Sequence, residues 1–112
     1  MSEDLAVFAA AERACAAGRA VALCTVVRRK GSTPRGVGSR MLVDPEQGLV
    51  GTVGGGCGEA MVIDAAREVV RTGTPRVVRV DLTEDILSWS PAVCGGIFDV
   101  FVERVPASEP GA

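Results

Sequence analysis

The stretch GGGCGE, Gly54 to Glu59, sets three glycines and a thiol directly before a segment of helical periodicity. The first N–H groups of a helix lack intrahelical partners and carry partial positive charge. Glycines ahead of them let backbone N–H groups close on an anion without side-chain obstruction. Cys57 stands at that positive end, where a thiol pKa falls and reactivity rises. Such a stretch can hold an anion and present a sulfur in one place. The competing reading is a tight strand-to-helix turn around a buried cysteine, but three glycines exceed what a turn requires. The pattern is neither a Walker A loop, whose lysine it lacks, nor a GxGxxG.

Cys94, Gly95 and Gly96 repeat the combination at the mouth of the last predicted strand, where site and core are evenly balanced. The spacing of the two cysteines is not that of a zinc finger, and no CxxC supports one. Cys15, in an alanine-rich helix, and Cys24, in an all-apolar strand, read as small hydrophobes. Arg28, Arg29, Lys30, Arg35 and Arg40 cluster in and around RRKGSTPRGVGSR, with Gly31, Ser32 and Thr33 among them. Arginine forks suit phosphate oxygens; the bland alternative is a solvated loop. Glu59 reads as a carboxylate at a helix start, a cap before a metal or proton partner. Trp89 reads as a hydrophobic plug rather than a stacking platform.

The absences narrow the chemistry. The chain has no His and no Tyr, which removes Ser-His-Asp triads, Cys-His dyads and His-ligated metals. Acid–base work falls to Asp, Glu, Lys30 or a thiol. A net charge of −2 argues against broad binding of nucleic acid. No apolar run approaches the roughly 18 residues of a membrane span, and the acidic MSEDLAVF is unlike a secretory leader. The reading is a cytoplasmic protein with reduced thiols and neither nucleic acid nor membrane as partner.

The elements that must position these residues follow from periodicity and breakers. Ser2 is expected to cap a first helix that ends near Gly18, with Leu5, Phe8, Ala9 and Ala16 as its apolar side. Ala20 to Val27 reads as a central strand and Arg28 to Arg40 as a long loop. RMLVD and LVGTV make a hairpin across the turn residues Pro45 and Gly48. Val62, Ala65, Ala66, Val69, Val70 and Gly73 share one helical face, and Gly73 with Pro75 ends that helix. RVVRVDL alternates as a half-buried strand, and residues 83–96 form a second long loop. IFDVFVERV closes the fold, with Phe98, Val100 and Val102 on one face. The expected fold is a single α/β domain (α+β being the neighbouring class) over residues 1–105, with a frayed tail at 106–112. Its order is αβββαββ, a mixed sheet of about five strands with two packed helices.

Three stretches together, RRKGSTPRGVGSRMLVD, GTVGGGCGEAMVIDAAREVV and VCGGIFDVFVE, resemble the N-terminal domain of the XdhC/CoxI family. These are maturation accessory proteins of molybdenum hydroxylases of the xanthine dehydrogenase and CO dehydrogenase type. The resemblance runs from about Val26 to Val105. It implies a cofactor chaperone rather than a turnover enzyme, one that binds molybdenum cofactor (molybdopterin, plain or as a nucleotide derivative), protects it during sulfuration and delivers it to an apo-hydroxylase. By resemblance, Cys57 and Cys94 match the family's Gly-Gly-Cys and Cys-Gly-Gly cysteines and stand at the metal end, toward molybdenum or a persulfide sulfur. Gly31, Ser32, Pro34 and Arg35 match its Gly-Ser-x-Pro-Arg loop, and Glu59 matches the acidic residue after the first cysteine. Gly54, Gly55, Gly56, Ser32 and Arg35 then form the anion end, and Gly95 accompanies Cys94. Partners implied are the apo molybdenum hydroxylase, a cysteine desulfurase and a separate Rossmann-like subunit. A homodimer through an exposed strand edge is compatible with the length. Gly58 replaces a larger residue usual in the family, which is expected to loosen the turn beside Cys57. Two rival readings are a thiol redox protein using Cys57 and Cys94 as a reversible pair, and a non-catalytic subunit that docks a Rossmann-like partner.

Overall fold

The computed structural model describes residues 2–31, 33, 35–54, 58–82 and 96–107, excluding the side chains of Ser2 and Glu3. The elements run α1 (Ser2–Ala16), β1 (Val21–Lys30), β2 (Arg40–Asp44), β3 (Gly48–Gly51), α2 (Glu59–Thr72), β4 (Arg76–Asp81) and β5 (Ile97–Val105). This is the expected αβββαββ order in one α/β domain. The Ser2 cap and the tail from residue 108 lie outside the described side chains and residues.

The strands form one sheet in the order β3-β2-β1-β5-β4. Every pairing is antiparallel, where a mixed sheet was expected. The reason is the path of the chain. The crossover through α2 joins β3 to β4, which run in the same direction, as βαβ units do. These two strands occupy opposite edges, with three others between them, so no parallel pair forms.

Helix α2 covers one face of the sheet. Its buried stripe is Val62, Ala65, Ala66 and Val69, packed on Ala22, Cys24 and Val26 of β1 and on Phe98, Val100 and Val102 of β5. Gly73 closes the helix in the left-handed region (φ 78°), its N–H donating to Val69 O at 2.8 Å. The N-cap residue, Gly58, supplies no side-chain cap. Glycine in place of a capping side chain costs only about a few tenths of a kcal/mol, whereas each buried valine contributes roughly 1.5–3 kcal/mol, so packing decides this helix.

Helix α1 covers the other face, over β2 and β3, and it does so through a different side than expected. Val7 and Ala14 are buried there, with Ala10 and Ala11 beside them, against Val21 and Leu42. Leu5 and Phe8 point outward, 68% and 48% exposed. Small residues win because the approach is close: a Cβ on Gly51 of β3 would sit 2.9 Å from Val7 Cγ2. The face of β1, β5 and β4 opposite α2 carries Thr25, Phe101 and Val77 in one cross-strand row, and Val77 is 58% exposed.

Strand β1 runs to Lys30, so Arg28, Arg29 and Lys30 are strand residues rather than part of the loop. They pair with Asp99, Phe98 and Ile97 of β5. The loop proper is residues 31–39. It folds back on β1, with Gly38 N–H donating to Val26 O and Val26 N–H to Ser39 O.

Candidate functional site

The antiparallel order gives the sheet two unlike ends. Strands β1, β3 and β4 run toward one end, and β2 and β5 run away from it. The loop after β1, the glycine-rich stretch after β3 and the segment after β4 therefore all leave from that single end. These are the three stretches that hold nine of the chain's 14 glycines and two of its four cysteines, and Arg28, Arg29 and Lys30 stand beside them at the end of β1. At the base of the last of them, Leu82 N–H donates to Gly96 O at 2.9 Å, closing the ladder between β4 and β5.

Of the sequence-predicted site residues, Gly31, Arg35, Gly54 and Glu59 are described. Ser32, Gly55, Gly56, Cys57, Cys94 and Gly95 lie outside the described residues, as do Pro34 and Trp89. Gly31 follows the last residue of β1 with φ 79° and is exposed. Thr33 Oγ1 donates to Arg35 O at 3.0 Å, which folds the loop locally beside the Arg35 side chain. Gly54 is buried next to the core residue Val53, so the glycine run starts from inside the core. Glu59, in the first turn of α2, accepts a hydrogen bond from the Thr52 hydroxyl. That bond ties the exit of β3 to the start of α2 and brackets the segment holding Cys57. The carboxylate acts as a fastening rather than as the helix cap that the sequence suggested, since its partner is a side chain and not a backbone amide.

Gly58 has a positive reason in the fold, while the turn beside Cys57 that it was expected to loosen lies outside the described residues. At Gly58 φ is 71°, and a Cβ there would lie 2.4 Å from Val80 Cγ1, a branched side chain that is itself buried. Glycine is needed on both counts, and its close seat on β4 fixes where the helix begins.

The basic cluster divides. Arg40 turns toward α1, 3.7 Å from Asp4 and 5.3 Å above the Phe8 ring, so it serves the scaffold. Arg28, Arg29 and Lys30 line an open cavity of about 320 Å³ with Arg79, Ile97 and Asp99. Sequence reasoning missed Arg79 and Asp99. Asp99 is buried, 6% exposed, and takes Arg79 Nε at 3.0 Å on Oδ1 and Arg28 Nη1 at 3.8 Å on Oδ2. The hydrogen bond from Arg79 to Asp99 raises the guanidinium pKa above its ordinary value. The signal was present, since strand alternation sets Asp99 opposite the buried Phe98, Val100 and Val102 and sets Arg79 opposite Val78 and Val80.

The other cysteines are placed by the fold. Cys24 is fully buried, and burial pushes its thiol up to about 12. Cys15 is half-buried rather than a core residue, its Sγ donating to Pro106 O at 3.1 Å. No group of three or more His, Cys, Asp or Glu side chains among the described residues could hold a metal ion. No helix among them is long and apolar enough to cross a membrane.

Residues 14–81 match the XdhC and CoxI family. The chain belongs to this family. It is 32% identical over 81 residues to the uncharacterized protein YqeB of Escherichia coli K12, covering 72% of this chain and 15% of that protein. Its fold is similar to the crystal structure of a xanthine dehydrogenase from Bacillus halodurans, with a TM-score of 0.73 and 30% identity over 89% of this chain and 30% of that one. The chain thus spans less than a third of either relative.

Proposed function

We propose that this XdhC/CoxI domain takes part in the maturation of a molybdenum hydroxylase by binding molybdenum cofactor, guarding it and passing it to the apo-enzyme. The observation that carries the reading is the common exit of the three motif segments from one end of the sheet. Family membership and the likeness to a structure titled xanthine dehydrogenase support the enzyme class. The described residues fit the anionic part of such a cofactor. Gly31 and Arg35 sit in the loop after β1, and a cationic cavity lies alongside at the same end. Arginine forks and bare N–H groups suit a phosphate, joined in this reading by Ser32, Gly54, Gly55, Gly56 and Gly95. Cys57 and Cys94 would hold the metal end, because soft thiolates suit a metal that already takes sulfur ligands. When bound, the cofactor supplies the redox chemistry of the client enzyme; this chain supplies binding and orientation, with Glu59 holding the turn beside Cys57.

In this reading the partners are the apo-hydroxylase and a cysteine desulfurase, with a Rossmann-like subunit completing the carrier. Delivery is tested by adding the cofactor-loaded chain to an apo xanthine dehydrogenase and following the appearance of activity. The reading expects activation by the loaded wild-type chain and little by a Cys57→Ser preparation. Equal activation by free cofactor and by loaded chain would remove the carrier role.

A further inference from the structure

The cavity at the end of β1 contains a device that the three motif segments do not. Asp99 of β5 faces Arg28 of β1 on one side and Arg79 of β4 on the other, in direct cross-strand register. The result is a cation–anion–cation row on the sheet face opposite α2. Arg28 reaches that face only through an irregularity. Val26 pairs with Val100, but Arg28 pairs with Asp99, so Val27 is bulged out of the ladder. With regular pairing Val27 would oppose Asp99, and Arg28 would oppose the buried Phe98, under α2. Bulges recur where a side chain must be re-aimed beside a functional site. Here the bulge brings Arg28 and Lys30 onto the Asp99 face and leaves Val27 47% exposed.

The charges do not cancel. Asp99 is the single carboxylate among the six residues lining the cavity, against four cations, and with Asp81 of β4 beside Arg79 at the cavity's edge the balance still favours positive charge. Its carboxylate orients Arg79 through both oxygens, at 3.0 and 3.5 Å. The two arginine side chains nevertheless remain 63% and 76% exposed, so their outer N–H edges face solvent. Arg29 and Lys30 have no ion-pair partner among the described residues. A buried carboxylate that hydrogen-bonds one guanidinium and lies 3.8 Å from a second, with an excess of positive charge facing outward, is an arrangement that suits an oxyanion.

We propose that Arg28, Lys30 and Arg79, with Arg79 oriented by Asp99, form a binding site for the phosphate group of a small phosphorylated ligand. Asp99 is a positioning residue; the cations make the contacts. The proposal deepens the cofactor reading, which counts this cavity on its anionic side, but it uses no residue of the cysteine segments, so pyrophosphate binding here and cofactor loading at the thiols can fail separately.

The test is titration of inorganic pyrophosphate into the full chain, read by calorimetry and by amide chemical shifts of β1, β4 and β5. Saturable binding centred on these strands is expected, with affinity lowered at least tenfold in Arg79→Gln and in Arg28→Gln. Arg13→Gln, which changes net charge equally at the opposite end of the sheet, is expected to leave it within twofold. Asp99→Asn separates positioning from mere charge. The proposal expects weaker binding although a negative charge is removed, whereas diffuse electrostatic attraction requires tighter binding. Melting curves confirm that each variant is folded. Absence of saturable binding, an Arg13→Gln loss equal to that of Arg79→Gln, or tighter binding by Asp99→Asn would each overturn the proposal.

Discussion

The two ends of the sheet solve opposite problems. At the end holding the β2–β3 turn, connections are short and polar groups are consumed locally. Asp44, 6% exposed, accepts hydrogen bonds from the Glu46 and Gln47 amides and from Arg19. Gly73 caps α2, and Cys15 is tied to Pro106. At the other end connections are long and glycine-rich, and basic side chains outnumber the carboxylate beside them. One end closes the fold, and in the proposed reading the other presents chemistry. The lesson is that glycines and arginines must be judged by what surrounds them: Gly73 and Arg19 belong to the scaffold, while Gly31 and Arg79 belong to the open end.

The sharpest division of this kind is among the thiols. With Cys24 pushed up to about 12 from 9.0, its thiolate fraction near pH 8 falls about a thousandfold. Alkylation of the native chain, mapped by mass spectrometry, is expected to label Cys57 and Cys94 first, Cys15 next, and Cys24 only on unfolding. Early labelling of Cys24 would break the assignment of its strand to the core.

Glycine at the open end can be tested against glycine at the closed end. Gly58→Ala combines a left-handed φ with overpacking against Val80, and a loss of about 2–4 kcal/mol is expected in urea unfolding. Gly48 has φ 99°, and a Cβ added there would meet no atom within 4 Å. It carries only the backbone penalty, about 1–2 kcal/mol as alanine. Equal costs would remove the argument that Gly58 is seated on β4.

Asp44 tests the claim that charges at the closed end are used up. Burial raises its carboxyl pKa, but the Glu46 and Gln47 amides and Arg19 outweigh burial, and the net shift is downward. A depressed folded pKa contributes stability above the unfolded value of about 3.9, lost as pH falls through the folded pKa. Asp44→Asn is therefore expected to flatten the fall of stability below about pH 4, and to cost about 1–3 kcal/mol at pH 7. The smallest effect is at Arg40. Its partly exposed contacts with Asp4 and Phe8 predict a loss under about 1 kcal/mol in Arg40→Gln, with no change in pyrophosphate binding.

Much of the fold was legible because periodicity is a local property. The α2 stripe, the Gly73 stop, the hairpin and the inward face of β5 all follow from spacing. What spacing does not carry is pairing. Nothing in RVVRVDL or IFDVFVE says that Arg79 and Asp99 will lie side by side, or that a bulge at Val27 will swing Arg28 onto the same face. The buried face of α1 escapes the sequence for a related reason. Leu5 and Phe8 have the greater hydrophobicity, but the closeness of Gly51 to Val7 selects small residues. The candidate site was legible as motifs, and the topology adds their common exit from one end.

The central claim is that this end carries the ligand. Its most direct test is the molybdenum and pterin content of the full chain purified anaerobically from cells that make molybdenum cofactor. Cys57→Ser and Cys94→Ser would be measured beside Cys15→Ser and Asp44→Asn from the opposite end. The account predicts near-stoichiometric molybdenum and pterin in the wild type and in both closed-end variants, with loss in Cys57→Ser and Cys94→Ser. Full loading of the Cys57→Ser and Cys94→Ser chains, or loss confined to the closed-end variants, would contradict it.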